Sequence, residues 1–154
     1  MISKVFLLEK NLSPITTREN QVQQIVIVID NSASMEPFKE NAAKQLKMEL
    51  SRIPGQLTTV VYTLMESHEQ GDRLYRGGSI SEMTDCLKEW NPANSAHSPE
   101  ASLRVGRSIA GTAGNLIFLT DHLEDQLPFG ASLLSVGEPI SNVGFAGLRI
   151  EPTE

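Results

Sequence analysis

Asp30, Ser32 and Ser34 alternate in the segment DNSAS, and Asp121 closes the segment LIFLTD. Carboxylates and hydroxyls are hard oxygen donors, the kind that Mg²⁺ prefers, and Mg²⁺ usually keeps several waters beside one or two carboxylates. Alternate residues of an extended or turning backbone point the same way, so Asp30, Ser32 and Ser34 can face one point while Asn31 and Ala33 face away. Joined by Asp121, they would form an all-oxygen site with about two negative charges and room for a cation. For this to happen the chain must bring two distant aspartates together.

The elements around these residues have the pattern needed. IVIVI, just before Asp30, is a continuous β-branched run, as expected of a strand covered on both faces. Further strands are predicted over residues 58–64, 73–76, 116–119, 131–136 and 143–150. Between them lie helical patterns. Over 37–53, Phe38, Ala42, Ala43, Leu46 and Leu50 form one apolar stripe, with Pro37 in the first turn and Pro54-Gly55 as the stop. Over 79–90, Ser79 and Glu82 have the spacing of a capping box. Over 99–113 the stripe is Leu103, Val105, Ile109 and Ala110, with Gly114 as the stop. Residues 121–129 read as a loop or a single turn. Strands alternating with helices imply an α/β fold with a mostly parallel sheet. The two strands between 58 and 78 have no helix between them and are expected to be an antiparallel hairpin at one edge. In such sheets ligands bind beyond the carboxyl ends of the strands, where the strand order reverses. Asp30 and Asp121 both occupy that position on their strands.

Composition narrows the function classes. The chain has 154 residues, 40% hydrophobic and 21% charged, which predicts one globular domain over 1–154 with its core about 22–150. Its net charge is −6, which argues against a nucleic-acid surface. Cys86 is the single cysteine, so neither an internal disulfide nor a cysteine-rich zinc site is available. No apolar run reaches the length of a membrane span, so no membrane contact is expected of this segment, and MISKVFLLEKN lacks the features of a secretory signal.

DNSASM after a hydrophobic strand, followed much later by LIFLTD, resembles the D-x-S-x-S site of von Willebrand factor A (vWA) domains. The resemblance in element order extends from about residue 22 to 150. FLLEKNLSP, DNSASM and SVGEPISNVGFAGLRI are similar to the A domains of BatA-type bacterial membrane-anchored proteins, which carry a similar V-G-x-P-x-x-N-V-G stretch after the fifth strand. The resemblance implies a doubly wound, three-layer, Rossmann-like fold with a mostly parallel six-stranded sheet and one antiparallel edge strand. It also implies a metal-ion-dependent adhesion site (MIDAS), in which Ser32 and Ser34 bind the metal directly and Asp30 and Asp121 act directly or through water. The cofactor would be Mg²⁺, or else Mn²⁺ or Ca²⁺. The parent protein would be membrane-anchored with this soluble domain outside the cytoplasm, and the chain an excised domain or a short relative.

The sequence departs from that pattern twice. The family's further threonine falls near His97, in WNPANSAHSPEAS, where no threonine occurs. Ser95 or Ser98 could supply the hydroxyl, or His97 could face the site and favour a transition metal such as Mn²⁺. His122 stands where the family often has glycine.

The expected function is non-enzymatic: a protein-interaction domain that binds an acidic residue of a partner protein through the cation. The alternative is a vWA scaffold with a degenerate site that binds partners without metal; a metal-assisted hydrolase ranks below both. The enzyme motifs are not met. Ser32 occupies the place of the second aspartate of the haloacid-dehalogenase pattern. A serine hydrolase would want G-x-S-x-G around its nucleophile, and Ser32, with Asn31 and Ala33 beside it, does not sit in that motif. No glycine precedes Gly55, so a dinucleotide fingerprint after the first strand is absent.

Overall fold

The structure, a computed structural model, describes residues 22–53, 59–68, 71–95 and 97–137. The IVIVI run forms β1 (Gln23–Ile29), at the centre of a five-stranded sheet. On one side β1 pairs in parallel with β2 (Val60–Glu66), and β2 pairs antiparallel with the edge strand β3 (Arg73–Gly77). On the other side β1 pairs in parallel with β4 (Asn115–Thr120), which pairs in parallel with β5 (Ser132–Ser135). The order is β3-β2-β1-β4-β5, so the strand order reverses between β1 and β4. The edge hairpin is as predicted. The strand expected over 143–150 lies outside the described residues, and among those described the sheet has five strands.

Helices α1 (Lys39–Arg52) and α2 (Ile80–Glu89) cover one face, and α3 (Glu100–Ala110) covers the other. The alternation of β1 divides the core between them. Ile25, Ile27 and Ile29 pack with Ala42, Leu46, Leu50, Met83 and Leu87. Val26 and Val28 pack with Leu103, Ala110, Leu116 and Phe118. Both faces of β1 are therefore dry, which is why its sequence is apolar without a break.

The helix boundaries shift from the predicted ones for local reasons. Residues Ala33–Phe38 wind as a 3-10 helix before α1 begins, and Pro37 sits inside it. Proline has no N–H to donate, and the tighter winding accommodates this ahead of the first α-helical turn. On α3 the buried positions are Ser102, Leu103, Gly106 and Ala110, and Val105 is half exposed. The small Gly106 takes the core-facing place that the apolar pattern gave to Val105. The helix ends at Gly111, whose positive φ of 69° glycine adopts freely, rather than running on to Gly114.

Among the described residues no helix is long and apolar enough to cross a membrane.

Candidate metal centre

Pairing of β1 with β4 puts Ile29 opposite Leu119, and the Asp30 N–H donates to the Leu119 carbonyl at 2.8 Å. Asp30 and Asp121 consequently leave the sheet side by side at its reversal point. Their carboxylates and the His122 ring form one group, each offering a ligand atom within 4.8 Å of the others. The carboxylates are sheltered: the Asp30 side chain is 13% exposed and that of Asp121 10%, whereas His122 is 63% exposed.

The local backbone holds Asp30 in place. Its Oδ1 accepts from the Ser32 N–H at 3.0 Å, closing an Asx turn. Its Oδ2 accepts from the Thr120 hydroxyl at 2.7 Å, and the Thr120 oxygen accepts from the His122 N–H at 3.3 Å. Beyond the turn, the hydroxyls of Ser32 and Ser34 lie 3.0 Å apart. The 3-10 helix sets this spacing, with Met35 N–H donating to the Ser32 carbonyl at 3.0 Å while the Met35 side chain is fully buried in the core. DNSAS is thus pinned at both ends, by β1 before it and Met35 after it.

Asp121 is held less completely. Its Oδ1 is buried and accepts no hydrogen bond. His122 Nδ1 lies 2.7 Å from it, close enough for an ion pair but outside hydrogen-bond geometry. Two sheltered like charges are costly unless a cation or donors answer them. Here Asp30 has two donors and Asp121 Oδ1 has none. A pair of sheltered carboxylates suits a hard divalent cation.

Of the three further candidates, His97 and the Ser98 hydroxyl are engaged elsewhere. The Ser98 hydroxyl accepts from Glu100 N–H at 3.3 Å, at the start of α3. Ser95 is exposed, and its carbonyl meets His97 Nδ1 at 2.8 Å. A carbonyl only accepts, so Nδ1 carries a proton there. Nε2 lies 2.5 Å from the hydroxyl of Ser67, which itself accepts from Asn31 N–H at 3.1 Å. His97 therefore braces the loop behind Asp30. The same loop is tied from outside by a parallel bridge between Ser32 and Asn94, with Ala33 N–H donating to Asn94 O and Asn94 N–H to Asn31 O.

Thr120, Ser67 and Gly137 also position the site, and none of them stood out in the sequence. Thr120 had a signal, as the threonine of LIFLTD beside its aspartate. Ser67 had none, because its role depends on the ends of β1 and β2 lying side by side. Gly137 follows β5 so closely that a β-carbon on it would lie 1.8 Å from the Asp121 carbonyl oxygen.

No protein-family profile and no curated protein matches this chain. Several solved structures are similar to it. The three N-terminal domains of the type V pili tip protein Mfa5 from Porphyromonas gingivalis align at 19% identity and a TM-score of 0.45, over 65% of this chain and 19% of that one. Its vWF domain aligns at 19% identity and a TM-score of 0.44, over 66% of this chain and 38% of that one. The conserved hypothetical protein BatB from Bacteroides thetaiotaomicron aligns at 14% identity and a TM-score of 0.47, over 64% of this chain and 53% of that one. The alignments thus span well under two-thirds of each of those chains. The fold described above, with DNSAS after β1 and Asp121 after β4, is a doubly wound α/β domain.

Proposed function

We propose that this domain binds a divalent cation at Asp30, Ser32, Ser34 and Asp121 and uses it to capture an acidic side chain of a partner protein. The observation that carries this reading is the meeting of two sheltered carboxylates at the reversal point of the sheet, one of them with a buried oxygen that no donor satisfies. The serine pair contributes neutral oxygens. Two carboxylates and two hydroxyls leave a divalent ion free to accept an additional anionic ligand, and a partner's Asp or Glu supplies one. When bound, the ion supplies the bridge; the chain's own residues orient it and shield it. No bond is made or broken.

Isothermal titration of Mg²⁺ and Mn²⁺ into the wild type and Asp30→Ala tests the cation. Saturable binding near one ion per chain is expected in the wild type and its loss in the variant. No heat above background in the wild type would sink the reading. Acetate added to the Mn²⁺-loaded protein tests the bridge: a carboxylate that takes a coordination position displaces water and lowers the water proton relaxation rate.

A second reading, a vWA-like scaffold that binds partners without metal, is favoured by one observation. His97 and the Ser98 hydroxyl, which could have completed the ligand set, are engaged in the loop and at the start of α3.

A further inference from the structure

The carboxylate pair has a third neighbour that is not an oxygen. His122 Nδ1 lies 2.7 Å from Asp121 Oδ1, 3.9 Å from Asp30 Oδ2 and 3.5 Å from the Thr120 hydroxyl. The backbone fixes it there, since His122 N–H donates to Thr120, whose hydroxyl donates to Asp30. The ring nitrogen and Asp121 Oδ1 face each other at contact distance without hydrogen-bond geometry, and Oδ1 is buried on a side chain nine-tenths buried with no other donor. Two lone-pair atoms so placed fit a shared cation. We infer that His122 is a nitrogen ligand of this centre, and that the centre selects a borderline transition cation of the Co²⁺ or Zn²⁺ class over Mg²⁺.

The chemistry sets the direction of that preference. Mg²⁺ takes oxygen in near-ideal octahedral geometry and dehydrates reluctantly, so an imidazole offered at its site contributes little. Imidazole suits Zn²⁺, Fe²⁺ and Ni²⁺, and affinity for a mixed nitrogen and oxygen site rises from Mn²⁺ through Co²⁺ to Cu²⁺. His97 cannot supply this nitrogen as it stands, because its Nε2 is held by Ser67 and its Nδ1 by the Ser95 carbonyl. The inference rests on the cation reading above and adds the identity of a ligand and the class of ion.

Competition titrations with Co²⁺ and Mg²⁺ on the wild type, His122→Ala, His97→Ala and Asp30→Ala test it, with circular dichroism to verify folding. His122 is largely exposed, so its replacement leaves the core intact. The wild type is expected to prefer Co²⁺ over Mg²⁺ by about tenfold or more, and His122→Ala to lose about ten- to a hundredfold in Co²⁺ affinity while Mg²⁺ affinity stays within about twofold. His97→Ala is expected to keep the preference. Electron spin echo modulation on bound Mn²⁺ should show an imidazole nitrogen that disappears in His122→Ala. Equal affinity for the two ions, unchanged in His122→Ala, overturns the inference and leaves the cation reading standing. Co²⁺ binding that survives Asp30→Ala but fails in His97→Ala places the nitrogen ligand elsewhere and also overturns it. A wild type that binds neither ion overturns the cation reading itself.

Discussion

Thr120 decides how Asp30 presents itself. Its hydroxyl gives Asp30 Oδ2 a 2.7 Å hydrogen bond and accepts one from His122 N–H, so one oxygen orients residues on both strands. Thr120→Val keeps the shape and removes the donor, leaving a sheltered carboxylate oxygen short of a partner. Such a loss costs about 1–3 kcal/mol. Urea unfolding of the ion-free protein should show this decrease in Thr120→Val and only a small one in Thr120→Ser, which keeps the hydroxyl; equal losses in both would mean that the methyl group, not the hydrogen bond, matters. His97 acts one layer further back. Removing it takes the ring partner from the Ser67 hydroxyl, and with it one link in the chain from Asn31 through Ser67 to the Ser95 carbonyl. His97→Ala should lower stability by about 1 kcal/mol, the net worth of an ordinary hydrogen bond. The same unfolding measurement checks it, and a loss no larger than that of an exposed control substitution would remove His97 from its bracing role.

At the scale of elements, the ends of β4 and β5 form a second mould for the site. Val136 N–H donates to the Thr120 carbonyl at 2.9 Å, and Gly137 then passes against the backbone of Asp121. A methyl group on Gly137 would lie 1.8 Å from the Asp121 carbonyl oxygen, so the two strand ends must part in Gly137→Ala. Overpacking of this kind costs about 1–3 kcal/mol, and because the atom displaced belongs to Asp121, cation affinity should fall along with stability. Parallel urea unfolding and titration calorimetry check this; a stability loss with unchanged affinity would show that the strand end yields without moving the carboxylate. The sheet was readable in the sequence because β1 and β4 are buried on both faces and must be apolar throughout, and the hairpin because too few residues separate β2 from β3 for a crossover. The cap of α2 was readable in half: Ser79 accepts from Glu82 N–H, but Glu82 turns to the Tyr75 hydroxyl, which itself accepts from Ser79 N–H. The aspartate pair was legible through the rule that places ligands at strand ends. The Asn94 bridge was not, since it joins backbone groups that any residue carries. The place of His97 and the nearness of His122 to both carboxylates depended on loop geometry that no spacing encodes.

For the whole molecule, the site is a clasp across the centre of the sheet. Its two carboxylates come from neighbouring parallel strands far apart in the chain, so in the unfolded state they meet rarely and the proposed ion-binding group does not exist. The chain also carries a net charge of −6, and folding brings two of its carboxylates into proximity at the site. A divalent ion that binds only the folded form stabilises it by mass action, by about 2.7 kcal/mol at a free concentration one hundred times its Kd. For a domain of this size about 1 kcal/mol shifts the melting temperature by about 2–4 °C, so saturation should raise Tm by about 5–10 °C. General screening of the negative charge by salt would also raise Tm, and it is separable: NaCl at matched ionic strength screens without occupying the site. The expected result is a Tm that keeps climbing with the logarithm of free divalent ion in the wild type, and a response in Asp30→Ala no greater than that to NaCl. A rise of equal size with NaCl, or one retained in Asp30→Ala, would assign the stabilisation to diffuse charge and not to the clasp between β1 and β4.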